Sequence, residues 1–304
     1  MKKNLYISDF KSVNRLMILS IAICLLFLFM INLIIIKTAM KYEAQRITND
    51  LVLQSNFQFA IFGDSNAESA LKGNYFENYV NISSGGDNFQ DIYKKLNFLL
   101  DDRKIYLKKI ILQLPIHAFS EYRNINAKNI HFENLENPLN NFYINRLKKY
   151  WLNILQFKNL APIGNKNKNG WYNNDTDFSL LGDDKIQSRS AKRAKQHKPV
   201  YNFKDTDNYK ALTNIINIAK SNDIKVCAIT LPKSHYYLKN LLKYHTSNEI
   251  ILTYYNLSKE FDFTYFNLIK YLGEKNQLNL FYDPDHINVS GAEKLSNDFK
   301  KIDC

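Results

Sequence analysis

The chain has 304 residues, 45% of them apolar and 23% charged, with nine glycines and six prolines. That composition excludes a disordered, collagen-like or linker-like chain and fits one large domain or two small ones. Three scattered cysteines, Cys24, Cys227 and Cys304, exclude a disulfide scaffold or a zinc finger. The net charge of +12 raises the question of a nucleic-acid partner. Lys, Asn and Ile are abundant together, however, and no zinc-finger spacing, aromatic RNA-binding motif or basic-plus-heptad pattern accompanies the charge. No nucleic-acid partner is expected.

Leu16 to Ile36 is an apolar run broken only by Ser20 and Asn32. At about 1.5 Å per residue it spans roughly 30 Å, the thickness of a bilayer core, and it has no polar face. A cleaved signal peptide would have a shorter apolar core and a small-residue site after it, which Thr38-Ala39-Met40 does not match. The expectation is a cytoplasmic N-terminus over 1–15, a single-pass signal anchor over 16–36, a helical stalk over 37–54 and a domain over 55–304. Lys2, Lys3, Lys11 and Arg15 before the run, against Lys37, Lys41 and Arg46 after it, favour a cytoplasmic N-terminus by a small margin. The domain then lies outside the cytoplasm, at the face of the cell membrane.

Within the domain, Phe57–Phe62 reads as a buried strand ending at Gly63, and Val80–Ile82 as a second strand followed by the tight loop Ser83-Ser84-Gly85-Gly86. Phe89 to Leu100 has apolar residues at helical spacing. Lys109–Leu114 is a third strand stopped by Pro115. Tyr209–Ser221 is an amphipathic helix, Lys225–Thr230 a strand stopped by Pro232, Phe261–Phe266 a last strand and Gly291–Lys300 a terminal helix. Strands alternating with helices predict an α/β fold, a parallel sheet with helices on both faces. The stretch from about 120 to 207 breaks the alternation and reads as a cap-like insertion. Its cluster Arg189, Lys192, Arg193, Lys195 and Lys198 could hold an anionic glycan or lipid headgroup, but a solvated helix face is the expectation. Its segment Asn141–Leu155 mixes aromatics with cations, which suits either a cap helix bordering the crevice, with Trp151 against substrate, or a membrane interface.

Gly63-Asp64-Ser65 follows a buried strand and precedes a helix start, so the serine hydroxyl faces the crevice at the carboxyl ends of the strands. Its own N–H is available to an oxyanion. Near the C-terminus, Asp283-Pro-Asp-His286 places a carboxylate three residues before a histidine in one turn. Such a turn can aim Asp283 at one imidazole nitrogen and leave the other for Ser65, the logic of a serine triad. Asp285, adjacent to the histidine, is expected to cap the final helix or meet solvent.

These segments together resemble the SGNH, or GDSL-type, hydrolase and acyltransferase superfamily, whose sheet is flavodoxin-like. Gly63-Asp64-Ser65 looks like its first block, Asn81-Ile-Ser-Ser-Gly-Gly86-Asp87-Asn88 like its second, and Asp283-Pro-Asp-His286 like its last. The resemblance implies Ser65, His286 and Asp283 as triad, and the Ser65 and Gly86 amides as oxyanion hole. It fails at the third block, where the strand runs into Leu112-Gln113-Leu-Pro-Ile-His117 and no asparagine follows. Gln113 or His117 could stand in, or touch substrate. The anchor makes the chain most similar to the branch that modifies envelope polymers. That likeness implies an acylated donor, an envelope glycan acceptor and a membrane-bound acyltransferase partner, with no cofactor or metal. Whether water or a glycan hydroxyl takes the acyl group stays open. The alternative is a catalytically silent SGNH fold that binds or assembles glycans.

Overall fold

In a computed structural model of the chain, residues 5–38, 57–71, 79–124, 148, 151–152 and 174–299 are described. By internal contacts the chain divides into two units, one of residues 1–43 with 133–162 and one of 44–132 with 163–304.

The first unit contains helix α1 (Leu5–Thr38), whose stretch Ser12–Ile35 is long and apolar enough to cross a membrane. Its large side chains from Leu16 to Met30 are exposed among the described residues. In this unit the indole N–H of Trp151 donates to Asn32 Oδ1 at 2.6 Å, giving the polar break in the apolar run a partner. The expected stalk beyond Thr38 lies outside the described residues. So does the segment Asn141–Leu155, apart from Lys148, Trp151 and Leu152.

The second unit is built on five parallel strands, β1 (Phe59–Phe62), β2 (Tyr79–Asn81), β3 (Lys109–Gln113), β4 (Lys225–Thr230) and β5 (Thr264–Asn267), in the order β2-β1-β3-β4-β5. This is the doubly wound, flavodoxin-like order, and the crevice at its switch point opens at the ends of β1 and β3. The central strands are buried on both faces, which is why they read as continuous apolar runs rather than alternating ones.

Helices α2 (Ser65–Ala70), α3 (Phe89–Asn97), α4 (Asp183–Gln196), α5 (Asp207–Ser221), α6 (His235–Leu241), α7 (His245–Glu260) and α8 (Val289–Phe299) surround the sheet. Ile61, Ile111, Cys227 and Ile229 point to one face, where Ala67 and Ala70 of α2 and Ala292 and Leu295 of α8 complete a core. On the other side α3 packs on α5, and α5 on β4. Two helices, α6 and α7, fill the connection between β4 and β5, where the sequence reading placed none. Within the stretch 120–207, α4 packs on α6 in the sheet-bearing unit.

Candidate active site

Ser65 opens α2 directly beyond β1. Asp64 caps that helix, accepting the Asn66 N–H at 2.8 Å. The turn is held from below by Gln113, the last residue of β3, whose Oε1 accepts from the backbone N–H of Asp64 at 2.9 Å and of Ala67 at 3.2 Å. Gly63 permits this approach, because a Cβ there would collide with Gln113 and Ala67. Gln113 is therefore a buried brace under the Ser65 turn, with its oxygen committed to that turn.

The histidine arrives from the other end of the chain. His286 Nε2 lies 2.7 Å from Ser65 Oγ, and His286 Nδ1 lies 2.9 and 2.8 Å from the two carboxylate oxygens of Asp283. Asp283 Oδ1 also accepts the backbone N–H groups of Asp285 and His286, each at 2.9 Å. The tight turn thus fixes the carboxylate against the imidazole before any substrate enters. Asn288 then caps α8, its side-chain oxygen accepting the Gly291 N–H at 3.0 Å. Burial works against a charged imidazole at His286, but Asp285 and Asp283 outweigh it and raise its pKa above the ordinary value.

The loop after β2 forms the facing wall. Buried Lys95 donates to Ile82 O at 2.9 Å, to Ser84 Oγ at 3.2 Å and to Asp87 Oδ2 at 2.5 Å, stapling the loop from beneath. Asn88 and Asp91 close a capping box at the start of α3. Gly86 takes φ = 86°, a conformation that glycine adopts without strain. A Cβ placed on Gly85 would stand 3.9 Å from Ser65 Cβ, so the loop runs against Ser65. Among the described residues the Ser65 and Gly86 amides make no hydrogen bond within the chain, which leaves both available to a ligand oxygen.

Behind this constellation lies a polar core that the sequence reading missed. His117 does not reach toward Ser65; its Nε2 meets Asp64 Oδ2 at 2.6 Å, and Arg123 Nη2 donates to the same oxygen at 3.1 Å. Burial works against the Asp64 carboxylate, yet His117, Arg123 and Lys233 outweigh it and hold its pKa well below the usual range. Burial drops His117 to about 4, with Asp64 offsetting only part of the effect. At neutral pH His117 is therefore an uncharged donor to Asp64. His197 stacks on it, ring centres 4.3 Å apart, and pairs through Nδ1 with Tyr237 Oη at 2.6 Å.

Asp285 neither caps α8 nor meets solvent. It is fully buried, with Oδ1 accepting from Arg193 Nε at 2.8 Å. Lys233, also buried, donates to the Asp285 backbone carbonyl at 2.8 Å and to Asn66 Oδ1 at 2.5 Å. Arg193 is accordingly withdrawn from the expected solvated face, while Arg189, Lys192, Lys195 and Lys198 are exposed. The signal for its inward turn was the spacing of Ile186, Ser190 and Ala194, the three buried residues of α4. Trp151 belongs to the first unit, where its indole N–H donates to Asn32.

His117, His197 and Asp285 bring possible metal-ligating atoms within 4.8 Å of one another. The two rings are inclined by only 17°, and each lone pair lies in its own ring plane, so one ion cannot meet both. Arg123, Arg193 and Lys233 already neutralise the carboxylates there. The cluster suits a hydrogen-bonded polar core.

No family model and no curated protein matches the chain. Among solved structures it is similar to a protein of Bacteroides fragilis NCTC 9343 described as an acylhydrolase, with 10% identity and a TM-score of 0.43, over 84% of this chain and 93% of that one. A GDSL-like lipase from Bacteroides thetaiotaomicron VPI-5482 shows 9% identity and a TM-score of 0.44 over 85% and 95%. A lipase/acylhydrolase from Enterococcus faecalis shows 12% and 0.40 over 81% and 96%. At such scores the function of this site rests on its own geometry.

Proposed function

We propose that this chain is a serine acyl-transfer enzyme of the SGNH type, anchored by α1 and acting on an acylated envelope polysaccharide or glycolipid. The observation that carries the reading is the line Ser65 Oγ–His286 Nε2, 2.7 Å, with Asp283 on Nδ1. His286 takes the Ser65 proton as Oγ attacks an ester carbonyl, and Asp283 holds the imidazole tautomer and balances the imidazolium. The Ser65 and Gly86 amides receive the oxyanion. His286 then gives its proton to the leaving alcohol, and a second hydroxyl resolves the acyl-enzyme.

Water as that hydroxyl makes the enzyme an esterase; a sugar hydroxyl makes it an O-acyltransferase. The apolar length of Ser12–Ile35 supports the second, because an anchored enzyme meets a membrane-delivered donor and an envelope acceptor together. At the third block, His117 Nε2 is committed to Asp64 and Gln113 Oε1 to the Asp64 and Ala67 amides, while Gln113 Nε2 has no hydrogen-bond partner among the described residues. If the Ser65 and Gly86 amides act alone, transfer is slower than in a three-donor site, since one donor is typically worth about 10²–10³ in rate.

Turnover of p-nitrophenyl acetate by the detergent-solubilised full chain tests the chemistry. The wild-type protein is expected to release p-nitrophenol, and Ser65→Ala to lose the activity. Adding an oligosaccharide acceptor and weighing the product by mass spectrometry separates acyl transfer from hydrolysis. Absence of Ser65-dependent turnover in a folded protein would return the chain to the silent glycan-binding reading.

A further inference from the structure

The catalytic turn carries two carboxylates within reach of one imidazole nitrogen. Asp283 lies 2.8 Å from His286 Nδ1, and Asp285 Oδ1 lies 3.6 Å from the same atom. A base with two competing acceptors on one nitrogen has no fixed ring orientation unless one of them is otherwise engaged. In this protein Asp285 is engaged by Arg193, which comes from α4, roughly ninety residues away in sequence.

We propose that Arg193 is a positioning residue for the base: by engaging Asp285 it leaves Asp283 as the hydrogen-bond partner of His286 Nδ1. The inference rests on the triad reading for its bearing on catalysis, but its geometry is independent of turnover. Arg193 Nε is the only hydrogen-bond donor to the Asp285 carboxylate among the described residues, since Oδ2 has none and Lys233 stands 3.9 Å from it. Asp285 is fully buried with Arg193 in place, so the guanidinium is the donor that meets its carboxylate. Deprived of Arg193, the carboxylate finds its next proton donor in the imidazolium 3.6 Å away.

The groups facing His286 come from every side of the turn. Ser65 meets Nε2 from α2, and the Tyr282 ring stacks on the imidazole with centres 5.2 Å apart. Asp283 and Asp285 flank Nδ1 from its own turn. Lys233 approaches from the loop after β4, and Arg193 from α4. His197 Nδ1 lies 3.8 Å from Asp285 Oδ2, but burial and then His117 keep that ring uncharged. Among the described residues, removing the Arg193 charge therefore leaves Lys233 as the cation, besides His286 itself, near the pair of carboxylates.

The experiment is an NMR titration of the six histidines, selectively labelled with 13C in the full chain in detergent, with His286 assigned by its own substitution. Arg193→Gln is expected to raise the apparent pKa of His286 by about one unit. Arg193→Lys should restore most of the wild-type value. The double variant Arg193→Gln/Asp285→Asn should bring it back to the wild-type value or below, and it deletes both members of the pair, so no charge is left buried alone. An unchanged His286 pKa in Arg193→Gln, or a raised one that persists in the double variant, overturns the proposal. Loss of Ser65-dependent turnover in the wild type would instead strike at the triad and leave these shifts in place.

Discussion

Gln113 Oε1 and the backbone N–H of Asp64 meet at 2.9 Å, tying the end of β3 to the residue before Ser65. The same oxygen receives the Ala67 N–H, so one side chain satisfies two buried amides of the strand-to-helix turn. Replacing Gln113 with Leu strands both. The expected cost is about 1–3 kcal/mol of stability per unpaired group, with a parallel loss of ester turnover as Ser65 loses its fixed position. Chemical denaturation read beside p-nitrophenyl acetate turnover checks it; unchanged stability would mean that the brace is dispensable.

The two aspartates of the C-terminal turn have separable roles. Asp283→Asn leaves the imidazole in the wrong tautomer and should lower kcat by about 10³–10⁴. Asp285→Asn removes no partner of Nδ1 and should cost far less. Equal losses in folded proteins would show that the orienting carboxylate has been misassigned.

Activity should also report the raised pKa of His286. The base works only when neutral, so kcat/KM must fall tenfold per unit as pH drops below that pKa, and the acid limb must lie above the ordinary imidazole value of about 6.5. Asp285 is the largest of the influences raising it, so Asp285→Asn should move the limb downward. A limb below 6.5 in the wild type would contradict the electrostatics of the turn.

Stability has a different pH signature. His117 is held uncharged with a folded-state pKa of about 4, below its unfolded value near 6.5. Between those values the unfolded chain binds the extra proton, so stability falls as pH drops from about 6.5 to 4, by on the order of 3 kcal/mol. His197 acts in the same sense. Asp64, whose pKa is depressed, contributes stability above its unfolded value near 3.9 and loses it only below that window. Urea midpoints across pH 4–7 should slope accordingly and flatten in His117→Gln. A His117→Gln profile as steep as that of the wild type would show that His117 is charged in the folded chain.

The parts of this site that the sequence displayed are those encoded locally. Gly63-Asp64-Ser65 and Asp283-Pro-Asp-His286 each place their functional atoms within one turn, so spacing alone discloses them. The polar core behind them is assembled from residues distant in the chain. His117, Arg123, Arg193, His197 and Lys233 carry no mutual spacing, and Arg193 sits among lysines on a helix with only three buried residues. Asp285 was misread because adjacency to the histidine was taken to turn its side chain outward, whereas burial against Arg193 turns it in. Helix α7 escaped notice because Ile250-Ile-Leu-Thr-Tyr-Tyr255 has the β-branched and aromatic content of a strand. Its buried positions Ser247, Ile250, Tyr254 and Leu257 nonetheless follow the helical period.

Ser65 as an activated nucleophile is the centre of this account, and covalent labelling tests it most directly. The full chain is treated with a fluorophosphonate and the modified peptide located by mass spectrometry. A single adduct on Ser65 is predicted, lost in Ser65→Ala and strongly slowed in His286→Ala, because the hydroxyl then lacks the base that stands 2.7 Å away. A folded wild-type chain that takes no label, or a Ser65→Ala chain that labels as well as the wild type, would contradict it.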